Sequence, residues 1–132
     1  MGISLSVAFQ KKLPEHGSLG SDHTDLGDDM EQLDLLLKKA KLTELNTFLS
    51  ADPDEMAEMY DLDADDPALE PEQWFEPAVG LAAVRAAVGY LESNPKALAK
   101  VRVAVLDDLK DVEQELILAE VERVPFHFCL LD

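Results

Sequence analysis

Residues 95–131 read PKALAKVRVAVLDDLKDVEQELILAEVERVPFHFCLL, and this stretch decides the fold class. Leu98, Val101, Val105, Leu109, Val112, Leu116 and Ala119 return every three or four residues, the spacing of one helix face. The spacing predicts a helix over 95–123, about 40 Å long if unbroken, at a rise of 1.5 Å per residue. Leu106, Ile117, Leu118 and Val121 broaden its apolar face, which suits a helix packed on two neighbours or one that helps form a homodimer. After Pro125 the period drops to two. Phe126, Phe128 and Leu130 point one way, His127, Cys129 and Leu131 the other, which predicts a strand over 126–131. Proline is tolerated at the start of a strand. A long helix that runs into a strand is the signature of an α+β chain.

Working outward, Ile3, Leu5, Val7 and Phe9 alternate with Ser4, Ser6 and Ala8, and predict a strand over 3–9. Pro14, Gly17 and Gly20 break the following stretch into a loop. Leu26, Met30, Leu33, Leu37 and Ala40 form the stripe of a helix over 25–42, with acids crowding its start and Lys38, Lys39 and Lys41 at its end, as the helix dipole favours. A short strand is expected over 46–50 around Phe48 and Leu49. Asp52-Pro53 opens a short helix that runs to about Tyr60. Glu76-Pro77 begins a helix over 77–93 striped by Leu81, Val84, Val88 and Leu91, with Gly80 and Gly89 marking points of close approach to a neighbour. The expected architecture is one α+β domain over 1–132, a small sheet of about three strands packed against three main helices.

The chain has 132 residues and a formal net charge of −17. Residues 15–76 hold nineteen acids against three lysines, so this segment carries −16 of the total. Such a field repels nucleic-acid phosphates and anionic membranes and attracts basic protein surfaces. No run of apolar residues approaches the length of a membrane span, and the start carries no basic leader. Met1 to Ser6 fits a myristoylation pattern, but strand alternation explains every residue of it. With a single cysteine, Cys129, no internal disulfide forms. The expected location is the cytoplasm.

No glycine-rich phosphate loop, nucleophile elbow or His-Glu-x-x-His pattern is present. Cys129 lies inside a strand with His127 two residues away on the same face, which is not the placement of known nucleophile–base dyads, and adjacent acids such as Asp107 and Asp108 do not face each other on a helix. The chain is therefore expected not to be an enzyme and to need no cofactor.

Two binding readings remain. Asp61, Asp63, Asp65, Asp66, Glu70 and Glu72 form an acidic loop beside Trp74, the sole tryptophan, and suit contact with a basic protein. An immunity-like inhibitor of a basic nuclease is one concrete form of such an interaction module. Alternatively, Asp61, Asp63, Asp65 and Glu72 fall at calcium-loop positions 1, 3, 5 and 12, although Asp66 replaces the usual glycine, Ala68 the bulkier apolar residue and Pro71 the start of the exit helix. For zinc, the capable side chains are His16, His23, His127 and Cys129; His127 and Cys129 share one strand face, but no paired ligand spacing is present.

Overall fold

The computed structural model describes residues 3–11, 22–51, 53–63, 66, 69 and 71–131. Strand β1 (Ser4–Phe9) is followed by a two-residue strand β2 (Asp22–His23), which runs directly into helix α1 (Thr24–Lys39). After a short 3-10 turn at Leu45–Phe48 come α2 (Pro53–Met59) and α3 (Pro77–Ser93). A second 3-10 turn, Ala99–Val101, leads into α4 (Arg102–Glu122), and the chain returns in β3 (Phe126–Leu131). The sheet order is β2-β1-β3, antiparallel throughout. The α+β expectation holds, with helices 77–93 and 25–42 close to their expected bounds.

Three details differ from the sequence reading. The 46–50 segment is not a strand. Asp34, buried in α1, accepts the backbone N–H of Leu45 at 2.6 Å and of Asn46 at 3.2 Å, and so holds a 3-10 turn in place. Leu49 makes only an isolated parallel bridge to Phe128. The third strand is instead Asp22–His23, at the other edge. Finally, the helix expected from 95 begins at Arg102. Leu98 and Ala99 take left-handed backbone conformations, with φ of 60° and 47°, which breaks the periodic stripe into a turn and a helix.

The long β1–β3 pairing sets the core. Leu5 lies opposite Leu130, Val7 opposite Phe128 and Phe9 opposite Phe126, so these side chains share the face covered by the helices. Phe126 and Phe128 pack as tilted rings with centroids 5.2 Å apart, and Phe48 approaches them at 5.6 and 5.8 Å. The outer edge of β3 is covered: Phe75 and Phe126 exchange two backbone hydrogen bonds, and Ser50 donates its N–H to the Phe128 carbonyl. Helix α4 packs against both α1 and α3, which accounts for the breadth of its apolar face. Val103 and Val121 are its large apolar side chains left exposed.

Gly80 and Gly89 sit in the same helix but do different work. A Cβ at Gly80 would lie 2.1 Å from the Phe126 ring, which is fully buried and cannot swing aside. A Cβ at Gly89 would meet nothing within 4 Å beyond its own helix backbone. We expect Gly80→Ala to destabilise by about 1–3 kcal/mol through overpacking, and Gly89→Ala to stabilise by about 1 kcal/mol through helix propensity. Urea unfolding of the two variants checks the opposite signs.

Asp34 gives a second test. Burial pushes its carboxyl above the usual range, more than the amides of Leu45 and Asn46 pull it down, and nearby Glu44 adds to the rise. The folded state therefore binds this proton more tightly than the unfolded chain does. The penalty of ionised Asp34 is fully present above its folded pKa, and it fades as pH falls toward the unfolded value. Asp34→Asn removes that titration. Relative to Asp34→Asn, the native protein should gain stability as pH falls from 7 toward 4, as measured by denaturant melts across that range.

Candidate functional site

Helix α4 carries Asp108, Asp111 and Glu115 at spacings of three and four, which places all three on one face. That face meets the β2–α1 junction, where His23 ends the edge strand and α1 begins at the next residue. The Nε2 atom of His23 lies 3.0 Å from Oε1 of Glu115, across ninety-two residues of sequence. Both side chains are buried, at 2% and 0% exposed. The other carboxylate oxygen of Glu115, Oε2, is buried without a hydrogen-bond partner among the described residues. Asp108 is half-buried and accepts the Leu26 N–H at 3.0 Å, one of the otherwise unpaired amides in the first turn of α1. Asp111 is exposed. One ligand-capable atom from each of His23, Asp108 and Asp111 lies within 4.8 Å of the other two.

The electrostatics of this cluster are strongly coupled. Burial favours neutral His23, but the hydrogen bond and charge of Glu115, with Asp108 and Asp111 behind it, outweigh burial and raise its pKa. Burial holds the Asp108 carboxyl above the usual range. The Leu26 amide and His23 oppose the rise, and the charges of Asp25 and Asp111 add to it. Chemically, the arrangement offers one buried imidazole oriented by a carboxylate and two further carboxylates, one of them open to solvent.

A second histidine–carboxylate pair ties the loop before α3 to the sheet. Nε2 of His127 lies 2.6 Å from Oε2 of Glu72, and Nδ1 of His127 lies 3.1 Å from the Phe128 carbonyl. The Trp74 ring sits 4.7 Å from the imidazole of His127 and is itself half-buried. Trp74 and Glu72 thus pin this loop against β3. Asp61 and Asp63 are exposed, and Asp61 has a left-handed backbone with φ of 53°. Asp66 is partly buried and Cys129 half-buried. Asp65, Glu70, His16 and Asp52 lie outside the described residues. His127 and Cys129 do share a face of β3, opposite Ala8 and Ser6, but both ring nitrogens of His127 are already engaged, Nε2 by Glu72 and Nδ1 by the Phe128 carbonyl.

At the open end of the sheet lies a cleft of about 400 Å³. Its apolar lining is Ile3, Met30, Leu35, Leu49 and Leu130, and its acidic side chains are Asp28, Glu31, Asp34 and Glu44. Asp28 accepts the Ile3 N–H at 2.6 Å, which fixes the start of β1 against α1. Gly27 allows that contact, because a Cβ there would lie 2.2 Å from the Ile3 carbonyl oxygen.

The chain matches no protein-family model, no curated protein and no solved structure. Of the residues in the α4 cluster, the zinc-capable set read from sequence includes His23 but none of its neighbours. The signal for those neighbours was the 108, 111, 115 spacing, with Glu115 interrupting an otherwise apolar stripe.

Removing one partner of the buried pair strands the other. Glu115→Leu should destabilise by about 3–5 kcal/mol. Adding His23→Leu to it should recover much of the loss, because an apolar pair replaces a broken polar one. Guanidinium melts of the single and double variants test this non-additivity.

Proposed function

We propose that the protein is an acidic interaction module that binds a basic partner, and that the partner presents a cationic amphipathic segment to the cleft at the end of the sheet. The observation that carries this reading is a cluster of exposed apolar side chains inside an acidic rim. Ile3, Leu35 and Leu130 are 40%, 55% and 40% exposed around Met30 and Leu49, with Asp28, Glu31 and Glu44 beside them. Scattered exposed leucines are ordinary on a protein surface, whereas a contiguous apolar patch rimmed by charge is characteristic of binding grooves. Acidic charge steers a basic partner and discriminates against acidic ones. The apolar floor supplies the pockets that an amphipathic helix fills with side chains three and four apart.

Asp61 and Asp63 are exposed acids outside the cleft lining, and Trp74 and Glu72 contact His127. An immunity-like inhibitor of a basic nuclease remains one concrete form of this reading.

A titration of the isotope-labelled protein with a helical Leu–Lys peptide tests it, followed by amide NMR. Shifts should cluster at residues 27–35, 44–49 and 130 and weaken with added salt, while a Leu–Glu peptide leaves the spectrum unchanged. Leu35→Lys should weaken binding by about tenfold or more, as expected for a central anchor. Shifts spread over all acidic surfaces and indifferent to Leu35→Lys would exclude the cleft.

A further inference from the structure

We propose that His23, Asp108 and Asp111 form a binding site for a divalent transition-metal ion of the zinc type, with Glu115 positioning the imidazole. Three observations converge on it. The donor atoms already lie within 4.8 Å of one another, so small side-chain rotations bring them to the bond lengths of about 2.0–2.2 Å that zinc takes with nitrogen and oxygen. The histidine is buried and held by a carboxylate at its Nε2, and in the proposed site Nδ1 is the nitrogen that takes the metal. A histidine ligand whose other ring nitrogen is held by a carboxylate is the usual construction of such sites. Glu115 itself is fully buried and its Oε2 is unpartnered among the described residues, in contact with the cluster's own histidine. A cation bound to that histidine adds positive charge beside this buried carboxylate, whose present partner is the imidazole alone.

The donor set selects the class of ion. Calcium and magnesium take oxygen ligands, and calcium tolerates six to eight of them. One imidazole with two carboxylates suits zinc and its first-row neighbours better. Asp111 is exposed, so the ion enters from solvent on that side, and three protein ligands leave one position open for water or an added ligand. This site is separate from the apolar cleft and shares no residue with it.

Zinc titration calorimetry on the full chain, with magnesium at equal ionic strength as the control, provides the test. One zinc per chain is expected, with no comparable heat from magnesium. Asp111→Asn is the informative variant: its side chain is exposed, so the metal-free protein should melt as the native one does, while zinc affinity falls by about tenfold or more. Cys129→Ser should bind zinc unchanged, and cobalt should give an absorption spectrum without a thiolate charge-transfer band. Three results would overturn the site: no zinc heat beyond the magnesium control, unaltered affinity in Asp111→Asn, or a cobalt–thiolate band that disappears with Cys129→Ser.

Discussion

The antiparallel pairing of β1 with β3 is the contact on which the other layers rest. Its register places Leu5, Val7, Phe126 and Phe128 on one face, and all four are buried. A slip of one residue would turn Ser4, Ser6 and Ala8 toward the helices. The same register lays the ring of Phe126 over Gly80, so the distance between sheet and α3 is set by a side chain on one and its absence on the other. Phe75 and Ser50 bond the outer edge of β3, and His23 extends the far edge of β1. The loop before α3 and the junction into α1 are thereby fixed to the same strands.

Acidity and burial are usually opposed, yet this chain places several carboxylates inside. Asp34 holds a turn, Asp108 caps the amide of Leu26, and Glu115 holds the edge-strand histidine. Each joins two separate elements of the chain, and each occupies a place where an apolar residue would leave backbone amides or an imidazole unpaired. Part of the acidic excess is therefore structural. Among the described residues, Glu31, Asp61 and Asp63 are exposed and give the field its sign.

The helices were legible because their apolar spacing survives intact: Leu81, Val84, Val88 and Leu91 are all buried, as are Val105, Leu109, Val112 and Leu116. Close approach at Gly80 was legible for the same reason; at Gly89 the glycine has no neighbour to accommodate. The 46–50 segment was misread because Phe48 and Leu49 between polar residues fit a strand and a 3-10 turn equally well. What decides it is Asp34, eleven residues earlier, and a carboxylate that accepts two distant amides leaves no periodic mark. The break at Leu98 was hidden because its apolar side chain keeps the helical spacing while its backbone abandons it. The candidate site was half legible. Three acids on one face of α4 can be counted from sequence, but their meeting with His23 spans ninety-two positions. Glu72 and Trp74, read as part of an acidic loop suited to a basic partner, also contact His127, fifty-five and fifty-three residues away, and those contacts leave no mark in the local sequence.

The topology also orders events during synthesis. β1 is made well before its main partner, residues 126–131, with α1, α3 and α4 between them. Until that segment is made, β1 has only the two-residue β2 beside it, and the apolar faces of α1, α3 and α4 lack the sheet they are built to cover. Contacts that close so much chain carry a large loop entropy and are formed slowly. The β1–β3 pair, and the sheet face that the helices cover, can therefore close only after all three long helices have been made.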